Sequence, residues 1–114
     1  MENHNKSFVD CPLEYASNII GGKWKLKILW ALSQSEYTRF NTLKRNLSGI
    51  TDLMLTKSLK ELNTANVVNR IQYNEVPPRV EYSLTENGHK LMEALIPVTH
   101  WSAEALEDIK RDIP

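Results

Sequence analysis

The chain has 114 residues, 41% of them apolar and 25% charged, which is enough for one modest core and too little for two. Fourteen basic residues balance fourteen acidic ones, so no overall field drives the molecule onto nucleic acid or an anionic membrane, and any electrostatic partner must meet a local patch. Apolar runs are only a few residues long, which excludes a membrane-spanning helix of about 18 or more residues, and a single cysteine excludes an internal disulfide.

Residues 1–9 are polar and aperiodic, with no apolar stretch of signal-peptide form, and read as an N-terminal arm on a single domain, 10–114, of a cytoplasmic protein. Asp10-Cys11-Pro12 opens a first helix, because proline suits the first helical position and Leu13, Ala16 and Ile20 recur at helical spacing; Gly21-Gly22 ends it. A second helix over about 23–34 puts Trp24, Ile28 and Ala31 on one stripe, with Lys23 and Lys27 on its flank. Gln34-Ser35-Glu36 reads as a loop. Phe40, Leu43 and Leu47 mark a short third helix that stops at Ser48-Gly49.

The fourth helix, about 52–65, has the most distinct start. Thr51 is a good N-cap, and Ile50 before it can staple onto Leu55. At 100° per residue Leu55, Leu59 and Leu62 share one face, while Leu53, Lys57, Lys60 and Thr64 gather on the opposite one with Thr56 at their edge. One face is core; the other is basic and hydroxylated. Taken by itself, that second face is more simply an ordinary solvated surface.

Past Asn66 the period changes from 3.6 to 2. Val67, Asn69, Ile71 and Tyr73 alternate with Val68, Arg70, Gln72 and Asn74. After Glu75-Val76-Pro77-Pro78, the residues Val80, Tyr82 and Leu84 alternate with Glu81 and Ser83. These features predict a two-stranded hairpin over about 67–84 with a proline-stiffened tip. Thr85 caps a fifth helix carrying Leu91, Leu95 and Val98, and Pro97 either kinks that helix or starts another. Trp101, Ala105 and Ile109 continue an apolar stripe to the end of the segment 86–112.

Charge is distributed unevenly along this order. Residues 23–60 hold eight basic side chains against two acidic ones, and residues 86–112 hold six acidic against three basic. A basic middle suggests one anion-facing surface on an otherwise neutral body, although solvated helix faces of mixed sign produce the same split. The order of elements favours the first reading. Three helices with a tight turn between the second and third members of a helix-turn-helix, followed at once by a hairpin, form a winged helix of mainly helical α+β class. In that arrangement the helix after the turn lies in the major groove of double-stranded DNA. Lysine can bond guanine or phosphate, threonine can do either, and Leu53 can touch a thymine methyl. The candidate DNA contacts are Thr51, Leu53, Thr56, Lys57 and Lys60 around this helix, Arg39 and Lys44 before it, and Arg79 beside the hairpin tip. The alternative for Arg79 is an exposed loop arginine.

Catalysis finds no support. Gly22-Lys23 is not a phosphate loop, since Ser17 stands where the first glycine is required and Trp24 where the hydroxyl belongs. His4, His89 and His100 lack metal-ligand spacing, and Glu107-Asp108 are helix neighbours that point apart. No catalytic residue, metal or cofactor is expected.

The sequence becomes specific in Cys11-Pro12-Leu13-Glu14-Tyr15, Ile20-Gly21-Gly22-Lys23-Trp24-Lys25, Arg39-Phe40-Asn41-x-Leu43, Gly49-Ile50-Thr51-x-x-Met54-Leu55-Thr56, Leu59-x-Glu61-Leu62 and Val76-Pro77-Pro78-Arg79-Val80-Glu81-Tyr82-Ser83-Leu84-Thr85. In this order, from Cys11 to about Trp101, the chain resembles the HxlR family of bacterial winged-helix transcription regulators. One departure is Asn63-Thr64-Ala65-Asn66, which replaces the family's more usual acidic, glycine-containing end of the recognition helix. The resemblance implies a homodimer whose terminal helices pair, an inverted-repeat operator, repression as the commoner mode, a place in the bacterial nucleoid and no catalytic activity. The acidic, apolar-striped segment 86–112 and Trp101 suit a dimer role. A winged helix reused as a protein-interaction module without specific DNA binding is the alternative.

Cys11 stands at or beside the N-cap of the first helix, where helix amides favour a thiolate while Asp10 and Glu14 oppose it. Some regulators that this chain resembles sense electrophiles or oxidants through a cysteine here, which implies a thiol switch. The alternative is a half-buried cysteine without a signalling role.

Overall fold

Helical and strand periods translate into eight elements in the computed structural model, which describes residues 11–112. The N-terminal arm, 1–9 with His4, and Asp10 at the start of the domain lie outside the described residues. The elements are α1 (Pro12–Ile20), α2 (Lys25–Leu32), α3 (Phe40–Asn46), α4 (Asp52–Thr64), β1 (Val68–Tyr73), β2 (Arg79–Leu84), α5 (Glu86–Ala94) and α6 (Ile96–Arg111). This is the expected winged helix, with a hairpin wing after the helix-turn-helix of α3 and α4.

The second helix departs from the expected stripe. Ile28, Leu29 and Leu32 are fully buried, whereas Ala31 is only partly covered. The reason lies in its position: α2 packs against α1, α3, α4, α5 and β2, so it needs apolar residues over a wide arc rather than on one stripe. Leu43, Leu47, Ile50, Leu55, Leu59, Leu62, Val67, Val68, Tyr82 and Leu84 complete the core around it.

Local chemistry sets the boundaries. Thr51 Oγ1 accepts the Met54 amide at 3.1 Å to begin α4, and Thr85 Oγ1 accepts the Gly88 amide at 2.8 Å to begin α5. Pro97 starts a new helix instead of kinking the old one: α5 stops at Ala94, and Leu95 is both its C-cap and the N-cap of α6. The departure at 63–66 closes without glycine, because Asn66 adopts φ 63°, a left-handed conformation that asparagine tolerates. Thr85 Oγ1 then donates to the Asn66 carbonyl at 2.8 Å, pinning the end of α4 to the start of α5. Gly88 serves that junction too, since a Cβ there would lie 2.1 Å from the Val67 carbonyl oxygen.

The strands pair antiparallel from Val68 opposite Leu84 to Tyr73 opposite Arg79. Thr38, just before α3, exchanges backbone hydrogen bonds with Tyr82 at 2.7 and 2.8 Å. The wing is thereby fastened to the front of the helix-turn-helix.

Neither terminal helix buries a residue. In α1, Leu13 is 80% exposed, and in α6 Trp101 is 69% exposed. Val98, Leu106 and Ile109 are also exposed, so the tail's stripe exists but is left uncovered by the described residues.

Candidate nucleic-acid interface

The turn between α3 and α4 is anchored from within. Leu47 and Ile50 are buried on either side of Gly49, whose φ of 89° lets the chain reverse with no Cβ penalty. From there α4 divides as its sequence dictates. Leu55, Leu59 and Leu62 face the core, while Leu53, Thr56, Lys57, Lys60 and Thr64 are exposed. Leu53 is 77% exposed on that outer face.

The remaining candidate residues differ in how free they are. Arg39 is exposed at the N-cap of α3 and makes no capping bond. Lys44 pairs with Asp52 at 2.7 Å, tying α3 to the first turn of α4. Both side chains are exposed to solvent, so the pair is worth little energetically. Thr51 is engaged as the cap. Lys25, outside the predicted set, bridges two helices: its amine donates to the Asn18 carbonyl at 3.3 Å and pairs with Glu61 of α4 at 3.0 Å. The hydrogen bond and the charge of Lys25, with help from Lys57, hold the Glu61 carboxyl below its ordinary 4.5.

Arg79 sits at the base of the hairpin tip, folded back onto the wing. Its guanidinium lies 4.1 Å from the centre of the Tyr73 ring and pairs with Glu75 at 3.0 Å and Glu81 at 3.8 Å. The Tyr73 hydroxyl donates to Glu81 at 3.1 Å. That bond and the Glu81 charge raise the tyrosine above its ordinary 10.0. One arginine among two carboxylates leaves the tip without surplus positive charge. The sequence carried part of this signal, since Arg79 and Glu81, two apart on a strand, share a face; that Tyr73 is the cross-strand partner of Arg79 comes from the register. The tip instead presents Val76, fully exposed.

Cys11 is exposed and caps α1, its Sγ accepting the Glu14 amide at 3.4 Å. Lys25 is bound at the far end of that helix. Among the described residues no cluster of histidine, cysteine and carboxylate side chains could hold a metal, and no helix is long and apolar enough to cross a membrane.

Comparison with known proteins agrees with this geometry. The family profile described as HxlR-like helix-turn-helix matches residues 19–110. A protein of Fusobacterium mortiferum named as the regulatory protein MalR is 46% identical over 104 residues, covering 91% of this chain and 96% of that one. The HTH-type transcriptional regulator YtcD of Bacillus subtilis is 42% identical over 107 residues, covering 94% of this chain and 84% of YtcD. A crystal structure of a ytcD regulator superposes with a TM-score of 0.80 at 42% identity, over 85% of this chain and 98% of that one. The redox regulator HypR in its reduced form superposes with a TM-score of 0.81 at 36% identity, over 89% of this chain and 99% of HypR. With its recognition helix, wing and basic outer face in this arrangement, the chain belongs to the HxlR-like helix-turn-helix family of DNA-binding transcriptional regulators.

Proposed function

We propose that the protein is a homodimeric repressor on the bacterial nucleoid, reading an inverted-repeat operator, and that modification of Cys11 changes its hold on DNA. The observation that carries this reading is the outer face of α4, where Leu53, Thr56, Lys57 and Lys60 stand exposed on a helix fixed from behind by three leucines. Lys57 and Lys60 serve as guanine or phosphate donors, Thr56 as a base or phosphate partner, and Leu53 as the contact to a thymine methyl. Arg39 and Lys44 approach the backbone at the front of the motif. Thr51 orients the helix. Arg79 takes part by releasing Glu75 to reach a neighbouring phosphate. Dimerisation is supported by the exposed Leu13 of α1 and by the α6 stripe of Val98, Trp101, Leu106 and Ile109, which no described residue buries.

For Cys11 the support is its exposure and the similarity to a protein named as a redox regulator. A quinone would be taken up as an adduct: a sulfur–carbon bond forms, and the thiol proton and displaced ring hydrogen become the two hydroxyl hydrogens of the hydroquinone. Diamide would remove two hydrogens from two thiols to join the subunits, provided the Cα atoms come within about 7 Å.

The test is binding of reduced protein to its own promoter-proximal duplex and to a scrambled duplex at two salt concentrations, before and after quinone or diamide. The expected result is specific, salt-sensitive binding that treatment alters in the wild type and leaves unchanged in Cys11→Ser. Binding indifferent to treatment would remove the thiol switch. Absence of specific binding at either salt would remove the operator reading.

A further inference from the structure

Resting on the assignment of the chain as a DNA-binding regulator, we propose a second DNA contact: the groove between the α1–α2 turn and α4 seats a backbone phosphate between Lys23 and Lys57. The groove has a volume of about 270 Å³ and is walled by Gly21, Gly22 and Lys23 on one side and Met54, Lys57 and Ser58 on the other. Lys25 and Glu61 also border it, but they pair with each other at 3.0 Å, so their charges cancel locally. The ammonium groups of Lys23 and Lys57 remain, neither with a carboxylate partner within ion-pair distance among the described residues. Two cations bordering one groove, with glycine and serine in its walls, recognise a phosphodiester by charge and carry no base information.

Position favours DNA as the source of that phosphate. On α4, Met54, Ser58 and Glu61 lie on the flank next to the outward face, and Lys57 stands on the border between them. A duplex that takes the outward face into its major groove therefore brings a flanking strand toward this flank. Lys23 is partly immobilised beforehand, its ammonium 5.2 Å from the centre of the Trp24 ring, and Trp24 is itself buried. A lysine already held this way loses less side-chain freedom on binding than a free surface lysine.

The experiment compares wild type, Lys23→Gln, Lys23→Arg and, as a control for net charge, Lys110→Gln from α6, on the promoter-proximal duplex and a scrambled duplex across a salt series. Lys23→Gln is expected to weaken binding to both duplexes by the same factor, keeping their ratio, and to lower the slope of log affinity against log salt by about 0.9 for each phosphate no longer neutralised. Lys23→Arg should restore the slope, and Lys110→Gln should leave it at the wild-type value. Circular dichroism confirms folding of each variant, as expected for an exposed side chain. An unchanged slope in Lys23→Gln, a weakening confined to the specific duplex, or an equal slope change in Lys110→Gln would overturn the proposed phosphate seat while leaving the DNA-binding assignment standing. Absence of wild-type binding to both duplexes would overturn both.

Discussion

The recognition helix α4 of the winged body and the two terminal helices are all amphipathic, yet the two regions end in opposite states. In the body, α2, α3, α4 and the wing bury every leucine of their inner faces. In α1 and α6 no residue is buried, although Leu13, Trp101, Leu106 and Ile109 are as apolar as anything in the core. The difference is one of available neighbours. Four elements besides α1 pack on α2, whereas α6 leans chiefly on α5 and α1 on α2. Amphipathic pattern alone therefore does not distinguish a helix that completes a core from one that offers its face to a partner.

The largest expected effect separates the two regions directly. Leu59→Ala removes a fully packed side chain and should cost about 2–5 kcal/mol in urea unfolding, while Ile109→Ala, measured at low protein concentration, should stay within about 0.5 kcal/mol. Equal costs would mean that α6 belongs to the monomer's core. Next in size, Trp101→Glu places a charge in the tail's apolar stripe. If that stripe pairs subunits, sedimentation should show dimer dissociation raised about 30-fold or more, with the far-ultraviolet spectrum of the body retained. An undisturbed dimer would move the interface elsewhere.

The smallest effect sharpens the junction of the two regions at Lys25, which ties the end of α1 to Glu61 on α4. The Glu61 carboxyl is held below 4.5 in the folded protein, chiefly by Lys25. Its contribution is therefore fully present above 4.5 and is lost as pH falls through the lower folded value. Wild type should lose stability more steeply than Lys25→Met as pH drops below about 4.5, and the two curves should run parallel above it. Parallel acid limbs would show that the bridge is too solvated to matter.

Much of the body was legible because its determinants are local. Thr51 and Thr85 cap where their positions before apolar periods indicate, Pro97 opens a helix as its missing N–H favours, and Leu55, Leu59 and Leu62 turn inward together. The outer face of α4 was legible by the same period. Arg79 shows where that reasoning stops. Its place beside the tip followed from the prolines, but its engagement with Tyr73, Glu75 and Glu81 depended on strand register and on a tip that curls back. Lys23 likewise read only as a flanking charge, and Lys25 had no predicted role, until α1, α2 and α4 met. One then bordered a groove and the other became a bridge. Gly88 gave no warning at all, since its need arises from a carbonyl 21 residues earlier, at Val67.

The sequence by itself determined most of the elements, the caps at Thr51 and Thr85, the helix-turn-helix with its wing, and which face of α4 is basic. These follow from spacings of a few residues, where backbone geometry fixes which side chains lie together. Only the tertiary structure decided which charges are free and which are spent, which apolar stripes are covered and which are not, and that α2 rather than α4 is the hub of the core. Those outcomes depend on pairs of residues brought together across long stretches of chain, and a one-dimensional period carries no information about such distances.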